Sequence, residues 1–160
     1  MLVFVRTKRM AARLARGLHK RFSIAEIHSD RSQSQRRNAI EGFKSGRYRI
    51  LIATDIAARG IDVKNIQLVI NYDLPDEAES YIHRIGRTGR AGKNGRAVSL
   101  ATPDQGKLVH HIERLLKKSI RVVKYTENLN FSSTEKPNRP RRTQHQQYHK
   151  KRRYGFKKLT

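Results

Sequence analysis

The stretch "HRIGRTGRAG", His83 to Gly92, holds three arginines and three glycines in ten residues, and no carboxylate. A guanidinium fork binds phosphate oxygens bidentately and keeps its charge at any working pH. Arg87 and Arg90 stand three apart, a spacing that in a helical turn points both side chains the same way. Gly86 and Gly89 remove bulk beside each of them. Two forks aimed at one point suit a polyphosphate that gathers charge in a transition state. That is the arginine-finger role, worth about 10³–10⁵ in rate where it occurs. Taken alone, the octet fits a solvated basic loop or a nucleic-acid backbone contact equally well.

A second constellation is "ATDIAARGID", Ala53 to Asp62. Thr54 and Asp55 fall where an apolar run ends, Arg59 and Gly60 follow one turn later, and Asp62 comes after them. A short glycine-bearing loop lets a phosphate backbone approach main-chain N–H groups. A carboxylate at such an edge can accept from sugar hydroxyls. In isolation, a plain turn with Asp62 as a local cap accounts for these residues somewhat better.

The remaining candidates are weaker. Arg36 and Arg37 open a helix after "HSDRSQSQ", and Arg37 reads as solvated. His28 reads as a satisfied loop histidine. His110 and His111 are adjacent and cannot share a helix face. His145 and His149 lie four apart in a Gln-rich segment without acids, so no metal site is expected. A nucleotide-hydrolysing domain needs a GxxxxGK[ST] phosphate cradle and an acidic pair for magnesium. Here Gly92-Lys93 is followed by Asn94 and Gly106-Lys107 by Leu108, and no such acidic cluster occurs. The chain carries candidate fingers and no cradle.

Such loops need a scaffold that presents them together. "LVFV" (Leu2 to Val5) predicts a buried strand. "RMAARLARGLHKR" predicts a helix with Met10, Leu14 and Leu18 on one stripe beside Ala11 and Ala15. "IAEIH" predicts a strand, and "QSQRRNAIEGFKSG" a helix with Ala39, Ile40 and Phe43 on one face and Gly46 as its stop. "RILIA" suits a strand covered on both faces. "LVINYDLP" predicts a strand ended by Pro75, and "DEAESYIHRIG" a helix with acids at its start. "RAVSLAT" predicts a strand, then "DQGKLVHHIERLLKK" a helix with Leu108, Ile112, Leu115 and Leu116 inward. "IRVVKY" predicts a last strand or edge. This alternation argues for an open, mostly parallel α/β sheet with functional loops at the strand carboxyl ends. Basic residues in those loops predict a strongly positive carboxyl edge.

Across 160 residues, 36 Lys and Arg face 13 Asp and Glu, a net charge of +23. A charge this large selects polyanionic partners, nucleic acid before anionic membrane. No apolar run approaches the roughly 20 residues of a bilayer span, and the N-terminus is no signal peptide. The chain has no cysteine, which excludes disulfides and thiolate metal sites. An intracellular, cytoplasmic monomer is the expectation. From Lys136 to Thr160 there are ten Lys and Arg and no carboxylate, and the body before it carries 26 basic against 13 acidic residues. A boundary is placed where "NLNFSSTEKPNRP" turns polar and then proline-bearing. That gives a domain over 1–127 and a disordered basic tail over 128–160.

In order, "LVFVRTK", "QSQR", "TDIAARGID", "VINYDLP" and "YIHRIGRTGR" resemble motifs IV, IVa, V, Va and VI of the DEAD-box RNA helicases. The resemblance covers residues 2 to about 125. In detail, including "KLVHHIERLLKK" before a basic tail, it is similar to bacterial helicases of the RhlE type. It implies a three-layer RecA-like fold, and that this is the second of two such domains. The first, with the phosphate loop and the DEAD box, is absent from the sequence, so a fragment or the C-terminal half of a longer enzyme is expected. By the same resemblance, Arg87 and Arg90 fall on the fingers that reach the γ-phosphate of ATP, and Asp62 on the ribose contact. His83 and Arg84 fall on positions linking nucleotide to domain closure, and Arg59 on an interdomain contact. Arg6, Thr7, Arg36, Thr54 and Gly60 fall on the RNA backbone surface. ATP and Mg²⁺ are implied, held mainly by the other domain. Ser29 departs from the family, which commonly has glycine there.

Two functions stay open from the sequence. One is the C-terminal half of an ATP-dependent RNA helicase, inactive alone. The other is a free-standing RNA-binding or annealing module with no ATPase, anchored by its tail. In that tail, "RPRRTQHQQYHKKRRYGFKK" interleaves cations with Tyr148, Tyr154 and Phe156, a composition suited to phosphates and stacked bases.

Overall fold

A computed structural model of the chain describes residues 1–58, 61, 63, 66–89 and 94–123. A compact unit runs Met1–Val122 and contains all of these except Val123. Arg59, Gly60, Asp62 and Arg90, the 127/128 boundary and the tail lie outside the described residues.

Among the described residues five strands form one sheet: β1 (Leu2–Phe4), β2 (Ile24–Ile27), β3 (Ile50–Ala53), β4 (Leu68–Asn71) and β5 (Arg96–Ser99). Their order is β2-β3-β1-β4-β5, and every pairing is parallel. All five carboxyl ends therefore share one edge, where ligand loops of open α/β sheets gather. The central strand β1 and its neighbour β3 are buried throughout, as unbroken apolar runs require.

The helices are α1 (Lys8–Leu18), α2 (Gln33–Lys44), α3 (Asp55–Ala58), α4 (Ala78–Ile85) and α5 (Gly106–Leu116), with a 3₁₀ turn at Pro103–Gln105. The predicted stripes hold for the first two. Met10, Ala11, Leu14, Ala15 and Leu18 pack on Val3, Val5, Ile50 and Ile52. Ala39, Ile40 and Phe43 pack on Leu2, Phe4, Leu51 and Ala53. Alternate residues of the same strands serve α1 and α2, so these helices cover opposite faces of the sheet. Thr7 caps α1, its Oγ1 accepting from Met10 N–H at 3.2 Å. Ser32 and Gln35 form a capping box on α2, and Gly46 leaves that helix with φ +80°, as an αL stop should.

Four expectations are corrected. The one-turn helix α3 was not foreseen; four residues are too few to show a period. Leu115 is exposed, and Val109 takes the inward place with Leu108, Ile112 and Leu116. At 100° per residue Leu115 and Val109 each fall about 20° outside the arc from Leu108 to Leu116, on opposite sides, so the period alone does not choose between them. Ile120–Val123 form no strand: Ile120 packs on the α5 cluster, and Val122 and Val123 are exposed. The carboxyl edge is not uniformly positive. Lys8 meets Asp30 at 2.8 Å and Arg6 meets Asp76 at 3.3 Å. The Lys8 ammonium holds the Asp30 carboxyl below the usual carboxylate range.

Candidate nucleotide and nucleic-acid interface

The site grows from the end of β4 and from α4. Arg84, in the last turn of α4, is 2% exposed and points inward. Its Nε and Nη2 donate to the two carboxylate oxygens of Asp55, each at 2.6 Å. Its Nη1 donates to Asp73 O at 2.6 Å and to Asn71 Oδ1 at 3.3 Å. The guanidinium lies 5.0 Å from the centre of the Phe4 ring. A bidentate fork with further acceptors is the geometry in which a buried arginine is satisfied. One side chain thus joins the ends of β1 and β4, the start of α3, and α4. The network continues from Asn71 Nδ2 to Ser99 Oγ at 3.0 Å, and from Ser99 Oγ to Tyr81 OH at 3.3 Å.

The Arg84 guanidinium is directed inward, onto Asp55, Asn71 and Asp73. Asp55, Asn71 and Asp73 were missed as its partners. The available signal was Asn71, a polar residue closing the apolar run "LVIN", fully buried here.

Arg87 lies beyond the end of α4, which stops at Ile85. Gly89 turns the chain with φ +67°. Arg87 Nη1 donates to Ile61 O at 3.0 Å, so this arginine is held in place and half-buried. Thr88 anchors the same turn, its Oγ1 donating to Ile66 O. Gly95 backs it: a Cβ there would stand 2.9 Å from Gly89 Cα. Arg87, His83, Ser80, Ala58, Asp55 and Arg84 line a pocket of about 290 Å³, with His83 exposed.

The other predicted contacts sit along the carboxyl edge. Arg6 N–H donates to Asp73 Oδ2 at 2.9 Å, and Arg6 Nη2 to Leu74 O at 3.2 Å. Thr7 uses its oxygen as the α1 cap, which leaves the hydroxyl hydrogen for a second acceptor. Thr54 follows β3 and donates its N–H to Ile27 O at 3.3 Å. Arg36 reaches from α2 to Ala57 O at 3.2 Å, while its buried Nε has no partner among the described residues. Ser29 is exposed in the turn after β2. His28 is a buried loop histidine; its Nδ1 accepts from Asp30 N–H at 3.3 Å, and its Nε2 lies 3.9 Å from Glu26 Oε2 with no hydrogen-bond partner among the described residues. Among the described residues no group of three acids, histidines or cysteines could hold a metal, and no helix is long and apolar enough to cross a membrane.

A parallel RecA-like sheet with an arginine-bearing turn at its carboxyl edge defines the C-terminal domain class of helicases. Residues 1–92 match the helicase conserved C-terminal domain family. DEAD-box ATP-dependent RNA helicase 9, mitochondrial, from Arabidopsis thaliana is 50% identical over 113 residues, 71% of this chain and 18% of that protein. The Escherichia coli DEAD-box protein SrmB, solved bound to RraA, superposes with a TM-score of 0.70 at 37% identity, covering 76% of this chain and 74% of that one. A DEAD box protein from Methanococcus jannaschii superposes at 0.71 with 51% identity, over 77% of this chain and 34% of that one. The chain belongs to this family and is the C-terminal RecA-like domain of a DEAD-box RNA helicase. It spans 15 to 27% of the length of the curated relatives it matches.

Proposed function

We propose that this domain, residues 1–127, works as one half of an ATP-dependent RNA helicase, with residues 128–160 as a basic RNA-binding tail. The observation that carries the reading is the setting of Arg87. One of its nitrogens is fixed on a backbone carbonyl beside exposed His83, and the Asp55–Arg84 pair braces the wall behind it. A guanidinium has five N–H donors, so the rest of the Arg87 fork is suited to a phosphate.

The residues fit a nucleoside triphosphate on that count. Arg87 and His83, with Arg90 and Asp62 assigned by family motif, would hold its γ-phosphate and ribose. ATP supplies the phosphoanhydride. Mg²⁺ finds no ligand set among the described residues and belongs with the partner domain. What this chain contributes is charge stabilisation by Arg87 held in advance, the largest kind of protein term in phosphoryl transfer. Arg6, Thr7, Arg36 and Thr54, with Gly60, would meet the RNA strand through phosphate and 2′-OH, giving weak sequence preference. Arg84 acts one step back: it ties α4 to β4 and α3 and so sets where Arg87 begins. Nucleotide and RNA binding would each favour closure of the two domains over this edge.

The test supplies a phosphate-loop domain from a DEAD-box relative, fused ahead of Met1, and measures RNA-stimulated, Mg²⁺-dependent ATP hydrolysis. The fusion is expected to turn over, and Arg87→Ala to lower kcat about 10³-fold. The chain alone is expected to hydrolyse nothing. Turnover by the chain alone, or an Arg87→Ala fusion as fast as its parent, would overturn the reading.

A further inference from the structure

Strand β2 closes one edge of the sheet and, among the described residues, pairs only with β3. Arg49 and Ile50 N–H donate to Ser23 O at 2.9 and 3.2 Å, and Thr54 N–H donates to Ile27 O at 3.3 Å. Backbone groups alternate in direction along a strand. Ser23 and Ile27 face β3, so the N–H and C=O of Ile24 and Glu26 face outward as an open half-ladder.

This edge is the floor of a groove. Because α1 and α2 cover opposite faces, they stand as its two walls, Ala15 and Arg16 on one side and Gln35 and Asn38 on the other. The groove measures about 600 Å³, and Tyr48 also lines it. Ile24, Ala25 and Ala39 make its depth apolar. Its rim is cationic, with Arg16, Lys20 and Arg31. Among the described residues Glu26 is the only acid lining it, and Arg31 already pairs with its Oε1. At the same spot Glu26 Oε2 and Arg31 Nε are buried without a hydrogen-bond partner among the described residues.

We infer that this groove binds an acidic, extended peptide segment, which adds to the sheet as a strand along the free edge of β2. The open half-ladder supplies main-chain pairing, the recognition mode of strand addition. The four residues of β2 set a matching length of about 13 Å. Charge selects the occupant: carboxylates of alternate residues meet Arg16, Lys20 and Arg31. The chain's own tail is excluded by like charge. A nucleic-acid strand has the right sign but no N–H and C=O ladder, and it would leave the apolar floor uncovered.

The test uses the full ¹⁵N-labelled chain and a capped seven-residue peptide of alternating valine and glutamate. Binding is expected to shift the amides of Ala15, Ile24, Glu26 and Asn38 and to slow exchange of the Glu26 N–H. Two further peptides carry N-methyl groups on one or the other alternate set of residues, which keeps their charge. One set is expected to bind like the parent peptide and the other about 10-fold more weakly, because only one set faces β2. Arg16→Glu with Lys20→Glu is expected to weaken binding by about the same factor. Among the described residues Arg16 bonds only within its own helix, to Ala12 O, so that variant keeps its fold. Three results would overturn the inference: no shifts at β2, equal binding of both N-methylated peptides, or displacement of the peptide by single-stranded RNA with the same β2 shifts.

Discussion

Arg84 shows why residue type alone does not assign a role. Arg84 and Arg87 stand three apart and look alike in the sequence, yet one is buried on Asp55 and the other, among the described residues, bonds through one nitrogen to Ile61 O. The difference is topological: Asp55 lies 29 residues earlier, and only the order of β3, β1 and β4 brings it beneath α4. Removing Arg84 strips Asp55, Asn71 Oδ1 and Asp73 O of a common donor. Breaking a buried ion pair costs about 3–5 kcal/mol. Asp55 is 42% exposed, so water recovers part of its share. Arg84→Ala is therefore expected to lose about 3 kcal/mol in urea unfolding, a large fraction of an ordinary domain's stability. Arg84→Lys keeps the charge but not the fork, and is expected to lose about 2 kcal/mol. A loss below about 1 kcal/mol for the alanine variant would show that the network is not what joins these elements.

At the level of elements, two helical glycines make opposite predictions. Gly17 in α1 has open space where a Cβ would go, so Gly17→Ala should gain about 0.5–1 kcal/mol by helix propensity and reduced chain entropy. Gly42 in α2 faces the Tyr48 ring, 2.5 Å from an added Cβ, and Tyr48 N–H is itself bonded to Gly42 O at 3.0 Å. The Arg47 guanidinium, 4.9 Å over the Tyr48 ring, would stand 2.7 Å from the same Cβ, so both side chains must shift and Gly42→Ala should lose about 1–3 kcal/mol through overpacking. Thermal unfolding of the pair reads both signs, and a stabilised Gly42→Ala would refute the packing argument. The same elements show what the sequence makes legible. The stripes of α1 and α2 and the apolar runs of β1 and β3 report burial through their own periodicity, and the structure follows them. "DIAA" is too short to have a period, and Leu115 sits where a stripe ends. The apolar residues of "RVV" need a neighbouring strand before they become one. For the candidate site, the sequence marks the loops correctly as polar strand ends. It does not show that Gly89 turns the chain after α4, nor that Asp30, Asp73 and Asp76 temper the positive edge, because those depend on which loops become neighbours.

For the whole molecule, charge is divided between a body and a tail, and the division predicts how RNA affinity responds to salt. In the body, Arg6, Lys8, Arg31 and Arg84 are engaged by carboxylates. Cations already paired release fewer counterions when they meet phosphate. Lys136 to Thr160 holds ten Lys and Arg and no acid, so each of its cations can displace one. For single-stranded nucleic acid the slope of log K against log salt is about −0.7 per phosphate neutralised. If half the tail's cations engage at once, deleting residues 136–160 should make that slope shallower by about 3 to 4. Affinity at low salt should fall far more than affinity at high salt. Titrating a uniform single-stranded RNA against both chains at several salt concentrations gives the two slopes. Parallel lines would move the electrostatic anchor into the folded body. There Arg36 and Arg87, which among the described residues contact backbone carbonyls rather than carboxylates, are the next cations to replace.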